Sequence, residues 1–360
     1  MGADRSVSRT VDATAAVPWS PATDTLNRSR AGAPGVYVLE LAGQDDDPLA
    51  TLEARAACPG VEPLAPGLAT ARGLTDRAAD LAFTRTASVL LARTDPSVEA
   101  AVAALRATSF DREGTVRVRA RDVRGLTGVS TSEAERALGG VLTDHGYDVN
   151  LEDPDHELRA LFSEGVCALG WVEVETDRGF ETRRPTDRPF FQPGSMDPML
   201  ARALVNIAGA REGATVVDPM CGTGGLLLEA GLVGSRVLGV DAQWKMVRGA
   251  TENLATYLDG GFAVVRGDAT RLPLCGRAAD AVVFDAPYGK QSKVVGDLAA
   301  LVAGGLREAR RIAPRAVLVA DRSWREEAEA VGWTVEARIE RRVHGSLVRH
   351  VHLLVGTPTD

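Results

Sequence analysis

Lysine and cysteine are both scarce in this chain of 360 residues. The 41 basic residues are almost all arginine, because lysine occurs only at Lys245, Lys290 and Lys293. The four cysteines stand far apart, with no histidine at ligand spacing: Cys58, Cys167, Cys221 and Cys275. A structural zinc ion needs clustered thiolates, so the sequence predicts no metal site and four reduced thiols.

Long apolar runs are also absent. No stretch reaches the roughly 18 apolar residues that span a bilayer, and residues 1–30 lack the apolar core of a secretory signal. We therefore expect a cytoplasmic protein with no membrane partner. The hydrophobic content of 45% and the charged content of 25% are typical of globular chains, and the length favours two or three domains.

The shortage of positive charge limits nucleic-acid binding. The formal net charge is −8 at pH 7, whereas phosphate contacts usually require a positive surface. Any RNA site on this chain must therefore be a local patch of arginines on an acidic body.

The N-terminal half predicts two small α/β units. Residues 1–34 show no periodicity and are expected to form a disordered extension. A strand at 36–41 and a helix at 49–57 predict a small subdomain over 35–74. Residues 75–178 predict a second α/β domain, with helices at 78–92 and 130–142. Ser132 and Glu135 have the spacing of a capping box for the second helix.

The C-terminal half has a different pattern. Residues 179–196 are rich in proline and arginine and predict a stiff, extended connector. From residue 197 to 360, strands and helices alternate strictly, with strands expected at 215–218, 236–241, 262–266, 281–285 and 316–320. Strands followed by helices of ten or more residues predict a parallel sheet with right-handed crossovers.

A glycine loop follows the first of these strands, in Thr-Val-Val-Asp-Pro-Met-Cys-Gly-Thr-Gly-Gly at 215–225. The glycines permit close backbone approach at a helix N-terminus. A dinucleotide-dependent oxidoreductase is disfavoured, because Leu227 stands where its motif needs a glycine and Asp218 would repel a pyrophosphate. The same carboxylate suits the ammonium group of S-adenosylmethionine. The candidate cofactor-binding residues of this loop are Asp218, Cys221, Gly222, Thr223 and Gly224.

Acidic residues also follow the next two strands. Asp241 can accept hydrogen bonds from both ribose hydroxyls of the cofactor. Asp268, followed by Ala269, can accept one from the adenine amino group. A single acid at a strand end is usually an ordinary cap, but three acids on consecutive strands behind a glycine loop favour a cofactor site.

Residues 281–289, Ala-Val-Val-Phe-Asp-Ala-Pro-Tyr-Gly, resemble the amino-methyltransferases with an (Asp/Asn)-Pro-Pro-Tyr motif. The resemblance implies a catalytic unit of Asp285, Ala286, Pro287 and Tyr288. The Asp285 carboxylate and the Ala286 carbonyl would position an exocyclic amine, and Tyr288 would stack on the base. This chain departs from the motif at Ala286. The carbonyl survives that change, and we expect proline to be tolerated there.

The remaining motifs narrow the resemblance. Residues 75–178 look like a THUMP domain, an RNA-binding module. Segments 184–196, 218–225 and 343–350 are similar to the archaeal tRNA guanine-10 N2-methyltransferases. The resemblance implies an α/β architecture, in which an N-terminal THUMP-type region precedes a Rossmann-fold methyltransferase domain with a seven-stranded, mostly parallel sheet. It also implies mono- and then dimethylation of N2 of guanine 10 in tRNA, by a chain that we expect to be monomeric and not to act on DNA.

Several arginines and one histidine are candidate RNA contacts, in the connector and in the C-terminal hairpin: Arg183, Arg184, Arg188, Arg342, His344 and Arg349. A rigid connector and a solvated hairpin are the alternatives for these segments. Two other functions stay open. One is methylation of guanine N2 or adenine N6 at another tRNA or rRNA site. The other is an RNA-binding protein with a degenerate catalytic loop, which Ala286 favours and the intact Asp285 and Tyr288 oppose.

Overall fold

A computed structural model describes residues 35–43, 46–109, 112–288, 298–344 and 347–356. The predicted extension at 1–34 lies outside these residues. The described part contains two mixed β-sheets with helices packed against them. None of its helices combines the length and the apolar character needed to cross a bilayer.

The first sheet is built from the N-terminal half of the chain. Its strands are Tyr37–Leu41 (β1), Glu62–Ala65 (β2), Leu68–Ala71 (β3), Thr84–Thr94 (β4), Thr115–Asp122 (β5), Asp148–Val149 (β6), His156–Ser163 (β7) and Val166–Glu175 (β8). Their order across the sheet is β2-β3-β1-β4-β8-β7-β5-β6. The accompanying helices are Asp47–Ala57 (α1), Val98–Arg106 (α2) and Thr131–Asp144 (α3). Because β1 pairs with β4, the predicted units 35–74 and 75–178 share this sheet.

Two local predictions in this half are wrong. Residues 78–92 were expected to be helical, but a short 3₁₀ helix, Asp76–Asp80, is followed there by β4. Both edges of β4 are paired, with β1 and with β8, so its apolar residues need not alternate. The cap of α3 is also shifted, because Ser130 Oγ accepts a hydrogen bond from Glu133 N at 3.4 Å. Glu135 instead accepts one from Ala120 N of β5.

The second sheet is formed by the C-terminal half. Its strands are Thr215–Asp218 (β9), Arg236–Asp241 (β10), Phe262–Arg266 (β11), Ala281–Asp285 (β12), Arg315–Ala320 (β13), Trp333–His344 (β14) and Leu347–Gly356 (β15). The accompanying helices are Pro198–Ala208 (α4), Gly225–Leu232 (α5), Trp244–Tyr257 (α6), Leu298–Ile312 (α7) and Arg325–Ala330 (α8).

The strand order, β11-β10-β9-β12-β13-β15-β14, confirms the predicted seven-stranded, mostly parallel sheet. Strands β9 to β13 pair in parallel, and β15 is antiparallel to both of its neighbours. The first strand, β9, lies between β10 and β12, so the order reverses there. In open α/β sheets, ligands bind at the carboxyl ends of the strands beside such a reversal.

The two sheets share one apolar core at their junction. Leu39 and Phe83 from the first half belong to the same buried cluster as Leu204 and Val216 from the second. Buried Glu53 on α1 accepts hydrogen bonds from the backbone N–H groups of residues 82 and 83, and from Asn206 Nδ2 on α4, each at 2.7 Å. The connector therefore joins two halves that are packed together.

Candidate active site

A cavity of about 200 Å³ opens at the carboxyl ends of β9 and β12. One wall is the glycine loop after β9, and another is the last part of the connector, residues 192–196. Asp285, at the end of β12, completes the lining. The loop residues that reach the cavity are Asp218, Met220, Cys221, Gly222, Thr223, Gly225 and Leu226. The structure therefore brings the predicted cofactor loop and the predicted catalytic acid to one cavity.

Asp218 is buried at the end of β9. Its Oδ1 accepts a hydrogen bond from Met220 N at 2.9 Å. Burial raises the pKa of Asp218 well above its usual range, and the charges of Asp241 and Asp285 raise it further. A carboxylate in this environment gains strongly from a cationic partner, which is the property that an ammonium-binding residue requires.

Asp241 holds the glycine loop against β10. Its Oδ2 accepts a hydrogen bond from Gly222 N at 3.1 Å, and its Oδ1 accepts one from Gln243 N at 2.8 Å. Burial raises the pKa of the Asp241 carboxyl. The loop itself needs glycine, since φ is +51° at Gly222 and +79° at Gly224. Sequence reasoning assigned Asp241 to the ribose, and the structure adds a contact to the loop.

The other candidate cofactor residues differ in position. Thr223 Oγ1 lies 3.1 Å from Ser195 Oγ, which ties the loop to the connector. Burial raises the pKa of the Cys221 thiol, so this sulfur is a neutral lining group. Asp268 and Ala269 are not among the residues that line the cavity. The Asp268 carboxylate accepts hydrogen bonds from the backbone and hydroxyl of Thr270, which lower its pKa; its contact with adenine stays a prediction.

The predicted catalytic acid forms a chain of polar contacts. The Tyr288 hydroxyl donates a hydrogen bond to Asp285 Oδ1 at 2.7 Å, and Arg349 Nε donates one to the same hydroxyl at 3.0 Å. Arg349 Nη2 lies 3.9 Å from Asp285 Oδ2. Burial raises the pKa of Asp285 to about 6, against the lowering effect of Arg349 and Tyr288. At neutral pH the carboxylate is therefore mainly ionised and able to accept hydrogen bonds.

Ala286, which follows Asp285, is held in place by a hydrogen bond of its backbone. Ala286 N donates a hydrogen bond to the carbonyl of Val319 on β13 at 2.8 Å. Proline has no N–H and would lose this hydrogen bond, so we now expect proline to destabilise position 286 rather than to be tolerated there. Pro287 follows Ala286 and precedes Tyr288 in this loop.

The arginines predicted to contact RNA fall into two groups. Arg183 is only 6% exposed, and its guanidinium donates to both carboxylate oxygens of Glu229, at 2.7 and 3.1 Å. Arg188 and Arg349 are also buried. Burial of these three side chains disfavours direct contact with RNA, and the predicted contact is not proposed further for them. Arg184 and Arg342 are exposed, and the side chain of His344 lies outside the described residues.

The connector was interpreted from sequence as a spacer, and its part in the cavity was missed. Its backbone at Phe190 both donates to and accepts from the side chain of Asn253 on α6, at 2.9 Å each. The same amide donates to the carbonyl of Thr223 in the glycine loop. The family resemblance of residues 184–196 was the one signal that could have revealed this role.

Among the residues that the structure describes, no three histidine, cysteine or acidic side chains are grouped so as to hold a metal ion. The polar groups at the cavity are instead carboxylates, hydroxyls and backbone N–H groups.

Comparisons with known proteins show which proteins this chain is similar to. The family model described as "RMKL-like, methyltransferase domain" (UPF0020) matches residues 185–351. The tRNA (guanine(10)-N2)-dimethyltransferase of Methanothermobacter thermautotrophicus is 42% identical over 178 residues, which are 49% of this chain and 53% of that protein. The protein of the same name from Pyrococcus abyssi is 32% identical over 249 residues, 67% of this chain and 74% of that protein.

The match therefore spans about half the length of the Methanothermobacter relative and about three quarters of the Pyrococcus relative. A solved structure, TrmN from Thermus thermophilus, is 25% identical, with 89% of this chain and 100% of that chain covered and a TM-score of 0.48.

Proposed function

Because this chain belongs to the family of the tRNA (guanine(10)-N2)-dimethyltransferases, we propose that it methylates N2 of a guanine in tRNA with S-adenosylmethionine as methyl donor. We place the modified guanine at position 10, with one and then two methyl groups added. The observation that carries the proposal is the ionisable Asp285, which faces the same cavity as the glycine loop and is held by Tyr288.

The cavity suits S-adenosylmethionine, which supplies an activated methyl group when bound. Buried Asp218 would pair with the ammonium of the cofactor, and this pairing offsets the cost of the buried charge. The glycine loop would hold the methionine part through its backbone. Asp241 and Asp268 are the proposed contacts of the ribose and the adenine.

The residues at the end of β12 would act on the target amine. An exocyclic amine is a weak nucleophile, because its lone pair is delocalised into the ring. Asp285 and the Ala286 carbonyl would accept its two hydrogens and so align the nitrogen. Since Asp285 Oδ1 already accepts from Tyr288, Oδ2 is the oxygen for the amine. The Tyr288 ring would stack on the base, and Arg349 fixes the tyrosine hydroxyl.

Capture of tRNA is assigned to the THUMP-like region, residues 75–178, with β1 beside it. We define the arginine face as Arg85, Arg119, Arg121 and Arg159 on β4, β5 and β7. Arg119 stands opposite Arg159 across neighbouring strands, and side chains two residues apart share a face. The buried Glu40 accepts from Arg121 at 2.8 Å and lies 3.9 Å from Arg85 and Arg159.

A second acid, Glu157 on β7, contacts Arg159 at 2.6 Å and also pairs with Arg117. The four arginines and Arg117 thus stand among two carboxylates, on a protein whose net charge is −8. The arginine face is therefore the local positive patch that an RNA partner requires. Residues of the opposite face of the sheet pack against α2 and α3, which leaves the arginines on the other side.

The proposal is tested by incubating the full chain with methyl-labelled S-adenosylmethionine and an unmodified tRNA transcript. We expect labelled N2-methyl- and then N2,N2-dimethylguanosine after digestion to nucleosides. A transcript with adenosine at position 10 should take up no label. Label that persists in that transcript would place the reaction at another guanine, and labelled N6-methyladenosine would favour adenine methylation.

The rival function is RNA binding without catalysis, motivated by Ala286 in the motif. Tight tRNA binding with no transfer of label would favour it. A cytoplasmic location, a monomeric state and the absence of DNA substrates stay predictions.

A further inference from the structure

Arg188, in the connector, is a buried arginine whose two outer nitrogens have no partner in the part of the chain that the structure describes. Only 4% of the surface of this residue is exposed. The guanidinium Nε donates to the carbonyl of Arg183 at 3.0 Å. Its two outer nitrogens, Nη1 and Nη2, are fully buried, and neither has a hydrogen-bond partner among the described residues. Burying a charged donor without an acceptor is costly, so such a group calls for an anionic partner.

Neighbouring acids do not supply that partner. Glu229 and Asp197 are acids whose charges act on Arg188. Glu229 is already engaged by Arg183 at 2.7 Å and by Arg202 at 3.0 Å, and Asp197 accepts hydrogen bonds from the first N–H groups of α4. This buried cluster of three arginines and one glutamate thus carries an excess of positive charge. Burial lowers the pKa of Arg188, because desolvation disfavours its charged form.

The unpaired guanidinium end packs against Gly225, which lines the cavity, whereas Arg188 itself is not among the lining residues. A methyl group placed on Gly225 would stand 3.0 Å from Arg188 Nη1, so that nitrogen lies directly over Gly225. Gly225 lines the cavity and is the first residue of α5. The first N–H groups of a helix have no intrahelical acceptor, and Gly224 provides no side-chain cap. Helix N–H groups and a guanidinium together form a site for an anion.

We propose that Arg188, with the N-terminus of α5, binds the α-carboxylate of S-adenosylmethionine. Asp218 lines the same cavity and would bind the ammonium group. The two charged groups of the methionine part of the cofactor would thus be bound by two buried side chains of opposite charge. Arg188 is thereby a specificity-determining residue, which selects cofactors that keep the carboxylate. The inference rests on the proposed use of S-adenosylmethionine.

The test compares two ligands by calorimetry with the full chain. S-adenosylhomocysteine carries both charged groups, and its decarboxylated analogue keeps only the ammonium. The wild type should bind the analogue about 10- to 100-fold more weakly, the usual range for a charge-assisted hydrogen bond. In Arg188→Met the ratio of the two dissociation constants, analogue over S-adenosylhomocysteine, should fall below about 3-fold. Only the helix N–H groups would then remain to select the carboxylate. The exposed neighbour Arg184 is the matched control, and Arg184→Met should keep the wild-type ratio.

Thermal unfolding separates a ligand-binding role from a structural one. Without ligand, Arg188→Met should melt at or above the wild-type temperature, because an unpaired buried charge is removed. Its stabilisation by S-adenosylhomocysteine should shrink. If Arg188→Met fails to fold, Arg188→Lys serves instead, and its ratio should fall several-fold because the planar fork is lost.

A variant that folds and keeps the full wild-type ratio would overturn the assignment of Arg188. A wild type that binds S-adenosylhomocysteine with no preference over the analogue would also overturn it. If the wild type bound neither ligand, the proposed function itself would fail.

Discussion

The Tyr288 hydroxyl donates a 2.7 Å hydrogen bond to the carboxylate of Asp285, so two residues of the proposed catalytic loop hold each other in place. The tyrosine is expected to stack on the base, and the aspartate to accept from its amine. Their hydrogen bond fixes the relative position of those two contacts before RNA arrives. Preorganisation of this kind lowers the cost of alignment in the transition state.

Replacing Asp285 should affect the rate rather than binding. In Asp285→Ala, we expect kcat to fall about 100-fold or more, with tRNA and cofactor affinities within a few-fold of wild type. Single-turnover assays at saturating cofactor measure the step directly. Exposed Asp321, whose charge raises the pKa of Asp285, is the control, and Asp321→Ala should stay active. Near-normal turnover in Asp285→Ala would remove the catalytic assignment.

The rate should depend on pH through Asp285. Its pKa is raised to about 6, and the ionised form is the one that accepts from the amine. The single-turnover rate should therefore rise with pH through about 6 and level off above it. Arg349 lowers this pKa, so Arg349→Met should move the midpoint upward. Exposed Arg342 on the same hairpin is the control, and Arg342→Met should leave the midpoint unchanged. A midpoint that does not move in Arg349→Met would exclude Asp285 as the titrating group.

The arginine face should determine the salt dependence of tRNA binding. In Arg119→Gln/Arg121→Gln, we expect weaker binding and a slope of log Kd against log salt reduced by about 1 per arginine. Affinity for S-adenosylhomocysteine should not change. Arg106 is exposed at the end of α2, on the other side of the sheet, and Arg106→Gln is the matched control. An unaltered slope in the double variant would place the RNA surface elsewhere.

Position 286 should not accept proline. In Ala286→Pro, the carbonyl of buried Val319 loses its donor, and we expect a cost of about 1–3 kcal/mol in the free energy of unfolding. Ala286→Gly keeps the N–H and should cost less, about 0.5–1 kcal/mol from chain entropy. Denaturant unfolding of the two variants provides the comparison. A proline variant as stable as wild type would mean that the loop can rearrange without this hydrogen bond.

Position 286 shows which features of the site the sequence could predict and which it could not. The positions of Asp218, Asp241 and Asp285 at strand ends followed from local strand–turn–helix patterns, and the structure has them there. The N–H of Ala286 depends on the partner strand β13, which a local pattern does not specify.

Tertiary partners explain the other errors in the same way. Segment 78–92 has apolar residues at helical spacing, yet pairing with β1 and β8 makes most of it a strand. The sequence around Arg183 is typical of an exposed connector, whereas in the structure Arg183 is paired with the buried Glu229. In both cases the deciding contact is distant in sequence.

The shared core changes what a truncated chain should do. A fragment beginning at Met196 contains all of the predicted methyltransferase domain, residues 197–360, and its sequence pattern alone would suggest that it binds cofactor. That fragment would lack residues 192–195 of the cavity wall and would leave Glu229 without Arg183. It would also expose the side of α4 that packs against α1. We now expect it to aggregate, and to show no stabilisation by S-adenosylhomocysteine in thermal unfolding.

A point variant tests the same junction in the full chain. Glu53→Ala removes the acceptor for two backbone N–H groups and for Asn206. The free energy of unfolding should therefore fall by about 1–3 kcal/mol or more. Exposed Glu62 on edge strand β2 is the control, and Glu62→Ala should fall within about 0.5 kcal/mol of wild type. If the halves were independent, Glu53→Ala would lower the melting of the N-terminal half alone, and S-adenosylhomocysteine would still stabilise a separate second transition. One cooperative transition that moves as a whole is the result that a shared core requires, because the loss of a contact at the junction then destabilises both sheets together.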